Sequence, residues 1–236
     1  MTDKNRDKVL IVTGASSGIG AEVARQCAAA GWQVIATARR QSELEQLGHP
    51  DRIRALPLDL NAPDAPETLL AAAREAGQLR GIVHSAGLFH TAPVKDIDFA
   101  DLQAMFETNV TAAGRLLQAA LGDLRDGGVF IGIGSTAGVR PVPGYAAYCA
   151  SKGALVSFLQ SAALELASEG IRIHVVAPGV VETPMVPNAR DAAGMHPLGR
   201  VGQPGDVAGA VSFLLSDAAT WMTGVVLPVD GGISLT

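Results

Sequence analysis

The chain has 236 residues, 48% hydrophobic and 17% charged, with a net charge of −5; this suits one large α/β domain with a substantial core and argues against a broad electrostatic surface for nucleic acid. Asp and Arg interrupt every apolar run before it reaches membrane-spanning length, and the polar start, residues 1–8, lacks the apolar stretch of a secretory signal. These features exclude a spanning or exported class and lead us to expect a soluble cytoplasmic protein without membrane or nucleic-acid partners.

Short β-branched runs alternate with longer helical patterns along the whole chain. Strands are predicted at residues 9–12, 33–37, 53–58, 81–84, 129–133, 172–177 and 225–229, and helices at 19–30, 42–47, 65–76, 99–124, 146–168 and 205–215. Near-continuous apolar strands separated by helices imply a parallel sheet covered on both faces. No linker or internal repeat divides the chain, so a single α/β domain over 1–236 is expected. Residues 178–203 break the rhythm, rich in Pro, Gly, Met and Asn with no clear strand. They follow a strand on the edge where ligands of such sheets bind, which predicts a mobile substrate cover at about 183–203. Cys27 and Cys149 fall inside predicted helices and read as reduced thiols. Cys149 should point away from the face that carries Tyr148 and Lys152, which disfavours it as a nucleophile.

The first strand runs into Thr13-Gly14-Ala15-Ser16-Ser17-Gly18-Ile19-Gly20, and a helix starts there. Gly14 permits a tight turn, Gly18 lets a pyrophosphate approach the backbone, and Gly20 lets the helix pack closely. The free N–H groups of the helix start suit phosphates. Further on, Tyr148 and Lys152 lie one helical turn apart and share a face. Ser135 precedes them in a Gly-rich segment. A cation beside a tyrosine favours its phenolate, so Tyr148 is read as a general acid in reduction and a general base in oxidation, acidified by Lys152. The Ser135 hydroxyl can hydrogen-bond a substrate oxygen as charge builds on it.

The Gly-xxx-Gly-x-Gly spacing with Tyr-xxx-Lys resembles the short-chain dehydrogenase/reductase family over nearly the whole chain, from Lys8 to Gly231-Gly232. The resemblance implies a Rossmann-type doubly wound domain with a seven-stranded parallel sheet, and hydride transfer between a nicotinamide dinucleotide and a carbonyl or alcohol. It implies that Lys152 hydrogen-bonds the nicotinamide ribose and links Tyr148 to a proton relay, and that Asn109 helps organise a water between Lys152 and solvent. It implies that Asp59-Leu60 contacts the adenine, although an Asp capping a turn explains Asp59 as well. In the family an acidic residue at the end of the second strand favours NAD. This chain has Ala38 followed by Arg39 and Arg40, which points to a bound 2′-phosphate and NADP(H), with NAD(H) still possible. The plain alternative for both arginines is solvated surface charge, and Ser17 stands where many NADP-using members carry a second basic residue. His84-Ser85-Ala86-Gly87 departs from the usual Asn-Asn-Ala-Gly, and His84 is read as a hydrogen-bonded structural residue. Val181 and Thr183, in Pro178-Gly179-Val180-Val181-Glu182-Thr183, match the family segment that orients the carboxamide.

Phe89, Thr136, Val142, Tyr145, Val180, Met185 and Met195 are expected to wall an apolar substrate pocket. His90 and His196 are read as polar lining or surface residues, and Asp206 as opening a helix. No ligand spacing suggests a metal. The general cast resembles 3-oxoacyl-carrier-protein reductases, so the substrate is a small carbonyl or alcohol, free or carrier-tethered. The apolar, small-residue helices 99–124 and 146–168 require burial on more than one face, and with the family resemblance they imply a homotetramer, with a homodimer as the second reading. Two other functions fit the motifs: an NAD-dependent alcohol or dihydrodiol dehydrogenase, and a regulator that senses NADP without turnover.

Overall fold

A strand apolar on both faces is stable only when helices cover both, and the seven strands here are arranged that way. The structure is a computed structural model describing residues 8–236. Residues 1–7, which carry most of the reading of the polar start, lie outside the described residues. The strands are β1 (Lys8–Thr13), β2 (Gln33–Ala38), β3 (Ile53–Pro57), β4 (Gln78–His84), β5 (Val129–Ile133), β6 (Arg172–Pro178) and β7 (Val226–Val229). They form one parallel sheet in the order β3-β2-β1-β4-β5-β6-β7. The order reverses between β1 and β4, which opens a crevice beyond the carboxyl ends of these strands.

Alternating residues of each strand feed two separate cores. Leu10, Val12, Val34, Val83 and Ile131 pack against α1 (Gly18–Ala29) and α7 (Pro204–Leu215). Val9, Ile11, Ile35, Ile82 and Phe130 pack against α3 (Ala65–Ala76), α5 (Ala112–Leu124) and α6 (Ala146–Leu166). Short α2 (Gln41–Glu45) follows β2. The Asp206 carboxylate accepts the Gln203 N–H at 2.7 Å and closes the start of α7. No helix among the described residues is long and apolar enough to cross a membrane.

The structure corrects one element. The helix expected over 99–124 is α4 (Phe99–Phe106), a π-helical turn Glu107–Thr111, and α5. The turn has a tertiary cause. Asn109 is fully buried, its Oδ1 accepts from Leu88 N–H at 2.8 Å, and its Nδ2 donates to the Leu88 carbonyl at 3.1 Å and to Ser151 Oγ at 3.0 Å. Those three bonds outweigh the local preference for continuous α-helix.

Residues 178–203 leave β6 and return to α7 with paired limbs. Glu182 N–H donates to the Gly202 carbonyl, and Gly202 N–H to the Val180 carbonyl, each at 2.9 Å. A 3-10 helix, Ala189–Met195, spans the outer part.

Candidate active site

The exit of β1 touches the exit of β4 backbone to backbone. Gly14 has a φ of +66°, and a Cβ there would stand 2.6 Å from the Ala86 nitrogen. A Cβ on Gly20 would collide with the Gly14 carbonyl oxygen. No side chain caps the first turn of α1, so its N–H groups remain for an anionic ligand.

A cleft of about 710 Å³ runs along these exits. At one end it is lined by Arg39, Arg40, Asp59 and Leu60; in the middle by Gly14, Ser16, Ser17, Gly18, Ile19, Ser85, Ala86 and Gly87; at the other end by Ser135, Tyr148, Lys152, Pro178, Gly179, Val181 and Thr183. Of the positions expected to bind cofactor, Gly20 alone lies behind the wall. The cleft thus offers an anion-binding helix start between a basic end and a proton-donating end, which fits a phosphorylated dinucleotide. Arg40 Nη2 donates to Ser16 Oγ at 3.0 Å, and its Nε pairs with Glu43 at 2.6 Å. Arg39 has no hydrogen-bond or ion-pair partner among the described residues. Asp59 accepts from Asn61 N–H at 3.0 Å, so it caps a turn while also lining the cleft.

Tyr148 and Lys152 share one face of α6 and enter the far end of the cleft. Ser135 stands two residues beyond β5, where its Oγ accepts from Ala137 N–H at 3.1 Å. The Tyr148 ring meets Phe89 edge-on, with centroids 4.8 Å apart. Burial pushes the phenol up to about 12, and a side-chain hydrogen bond with Ser135 opposes the rise. Burial pulls the Lys152 amine down to about 8. Its Nζ donates to the Ile133 carbonyl at 2.8 Å and lies 5.9 Å from the Tyr148 ring centroid. Desolvation is the largest influence on the phenol, whose hydroxyl stands in the cleft beside Ser135. Asn109 stands outside the cleft wall. It bonds Ser151, whose Oγ donates to the Tyr148 carbonyl at 2.9 Å, so it ties the first turns of α6 to the π-helical turn.

His84 is buried between Thr13 and Thr108. Thr13 Oγ1 accepts from Ala86 N–H at 3.1 Å, so its hydrogen goes to His84 Nδ1 at 3.2 Å, and His84 Nε2–H donates to the Thr108 carbonyl at 3.2 Å. A structural role fits this geometry. Burial, then the charge of Lys152, depresses the imidazole to about 4. Its neutral state therefore contributes stability fully above the unfolded value near 6.5, and loses it as pH falls through about 4, roughly 3 kcal/mol at most. Urea unfolding at about pH 7 and about pH 5 should show this loss, and His84→Asn should flatten the slope; equal slopes would refute the assignment.

The apolar wall is only partly as expected. Phe89 and Met185 line the cleft, whereas Thr136, Val142, Tyr145, Val180 and Met195 do not. Val142 and Tyr145 instead pack behind Tyr148 and Phe89, and Met195 is 59% exposed. His90 sits at the rim, 3.4 Å from the Asp101 carboxylate. His196 is not a surface residue: it is 3% exposed. Thr13, Thr108 and Ser151 organise the site without having been singled out. Their only sequence signal is adjacency to Gly14, Asn109 and Lys152.

Residues 14–234 match the family model described as enoyl-(acyl carrier protein) reductase. The chain is 34% identical to the 3-oxoacyl-[acyl-carrier-protein] reductase of Vibrio cholerae, over 96% of this chain and 97% of the relative. It is 34% identical to versicolorin reductase 1 of Aspergillus parasiticus, over 98% and 99% of the two chains. It is 32% identical to 2-(S)-hydroxypropyl-CoM dehydrogenase 3 of Xanthobacter autotrophicus, over 99% of each.

Proposed function

This chain belongs to the short-chain dehydrogenase/reductase family, an oxidoreductase of carbonyl and CH–OH groups with a nicotinamide cofactor, and from that premise we propose that it works as an NADP(H)-dependent ketone or 3-oxoacyl reductase. The observation that carries this reading is the Tyr148 phenol, buried in the cleft beside Ser135 and Lys152. Reduction adds hydride to a carbonyl carbon and a proton to its oxygen, and the bound dinucleotide supplies the hydride. Tyr148 gives its phenolic proton to that oxygen as general acid. Ser135 donates a hydrogen bond to the same oxygen while negative charge develops. Lys152, with an amine near 8, exchanges protons with its surroundings at neutral pH and is suited to refill the phenol through the relay that the resemblance implies. Val181 and Thr183 would hold the carboxamide, and Lys152 the ribose, which fixes a near-attack geometry. Asn109 holds the π-helical turn against α6 behind them.

NADP(H) is supported by Arg39, unpaired at the end of the cleft, and by the missing carboxylate at Ala38. Arg39→Asp should lower the NADPH/NADH ratio of kcat/KM about 10- to 100-fold, the scale of a lost charge-assisted phosphate contact. Equal loss with both cofactors would refute the phosphate role. One observation favours NAD-dependent alcohol oxidation as the second reading: Glu43 already engages Arg40.

We place the catalytic machinery in one domain, with residues 183–203 covering the substrate. The substrate is a small carbonyl, free or carrier-tethered; the name of the Vibrio relative supports the second form. A cytoplasmic homotetramer is the assembly we favour, supported by the exposed Phe158 and Leu164 on α6 and Phe213 on α7. A panel of ketones and acyl thioesters, followed at the nicotinamide absorbance, tests the whole reading, and dinucleotide binding without any turnover would refute it.

A further inference from the structure

His196 has both ring nitrogens engaged. Val180 N–H lies 3.3 Å from Nε2, and Nδ1 lies 2.9 Å from the Ala192 carbonyl oxygen. A backbone N–H only donates, so Nε2 must present its lone pair, and the ring hydrogen sits on Nδ1 and goes to Ala192. Only the neutral ring in this tautomer makes both bonds. An imidazolium would turn Nε2 into a second donor facing Val180 N–H.

The ring stands where three segments meet. A Cβ on Gly179 would lie 3.1 Å from Nε2, and one on Gly231 would lie 3.3 Å from the His196 Cβ. Leu198 N–H donates to the Gly231 carbonyl at 3.1 Å. The returning limb of 178–203, the exit of β6 and the turn after β7 are thus packed through one imidazole. Val180 adjoins Gly179 and Val181, both of which line the cleft.

We propose that His196 is a positioning residue whose neutral imidazole holds Val180, and through it the cleft edge at Gly179 and Val181, in the conformation that receives the nicotinamide end of the dinucleotide. This rests on the dinucleotide reading above. The charged group that meets the ring across Gly179 is Asp230, after β7, whose carboxylate accepts from Gly232 N–H at 3.0 Å and Ser234 N–H at 2.9 Å. The β6 exit and the cover offer it the Val180 N–H and the Ala192 carbonyl; on the cover, Arg190 is paired with Glu182 and Asp191 is exposed. A proton on Nε2 would occupy the lone pair that Val180 N–H uses, so only the neutral ring holds Val180.

The test uses the intact protein. Nitrogen-15 NMR of the histidine rings at about pH 8 should show His196 protonated on Nδ1 and bare on Nε2, with the Val180 amide protected from exchange; at about pH 5.5 that protection should fall. In calorimetric titrations the Kd for NADP⁺ should weaken about tenfold over the same interval, a change of roughly 1.4 kcal/mol. His196→Gln carries an amide oxygen able to accept from Val180 and no titrating ring. It should bind near wild-type strength at the higher pH and keep only the pH dependence that the ligand's own phosphate contributes. His196→Phe fills the volume without an acceptor and should bind about tenfold more weakly at both pH values. An Nε2–H tautomer at the higher pH overturns the proposal, as does a Phe variant that binds and responds to acid like wild type. Should the Phe variant fail to fold, the wild-type and Gln titrations decide. Should no form bind a nicotinamide dinucleotide, the proposed function fails, while the tautomer and Val180 exchange still judge the latch.

Discussion

Tyr148→Phe should lower ketone reduction about 10²- to 10⁴-fold, the range for removing a positioned general acid, and leave dinucleotide Kd within about twofold of wild type. The separation follows from the geometry. The ring packs edge-on to Phe89 at 4.8 Å and belongs to a small apolar cluster with Met105, Ala137 and Ala147. Phenylalanine keeps all of that and loses only the hydroxyl. The wild-type pH profile carries a second signature. A phenol at about 12 stays protonated throughout the neutral range, so deprotonation of Tyr148 itself costs nothing there. Lys152 is the group that changes charge, near 8, so reduction should decline as pH rises through that value. Steady-state rates and fluorescence titration of NADPH check both statements. A variant retaining most of its activity, or losing binding in parallel with turnover, would remove Tyr148 from the proton-donor role.

Gly14→Ala should be a severely damaging methyl addition in the cofactor turn. Two costs coincide there. The backbone sits at a φ of +66°, and a Cβ would stand 2.6 Å from the Ala86 nitrogen, 2.7 Å from its Cα and 2.8 Å from the Ser85 carbonyl carbon. These are main-chain atoms of the β4 exit and cannot rotate away. A left-handed residue costs about 1–2 kcal/mol and overpacking about 1–3 kcal/mol more. The sum, roughly 2–5 kcal/mol, should lower the melting temperature by about 10 °C and abolish dinucleotide binding as the β1 and β4 exits part. Gly48→Ala is the control. Its φ is +76° with nothing within 4 Å, so only the backbone cost remains. Calorimetric melting of both variants decides the matter: equal shifts would mean that the close approach of the two exits carries no weight.

Periodicity and breakers made most of the fold legible. Residues 129–133 and 65–76 were delimited to the residue, because each run ends at Gly or at a helix-compatible Pro. The split of 99–124 was not legible. Nothing in Glu107-Thr108-Asn109-Val110-Thr111 breaks a helix locally; the π turn exists because Asn109 meets Leu88 and Ser151 across the fold. The cleft residues were readable for the same reason as the strands, since they stand at strand ends marked by Gly and Ser. The substrate wall was not, because side-chain direction in a loop depends on what packs behind it: Val142 and Tyr145 turned into a cluster around Phe89. The protonation states were hidden too. Spacing places an amine one helical turn from a phenol, but it does not show the burial that raises the Tyr148 value. His196 illustrates the same limit, since its burial arises from Gly179 and Gly231, distant in sequence.

The position of β1 inside the sheet, between β2 and β4, has a consequence for how the chain emerges from the ribosome. Its partner on one side, β2, follows at residue 33, while its partner on the other, β4, arrives only at residue 78. Throughout that interval the nascent β1-β2-β3 unit carries a bare parallel edge of unpaired amides along Lys8–Thr13, the kind of surface that recruits foreign strands. The β1 edge is therefore closed only once residues 78–84 are available to pair with it.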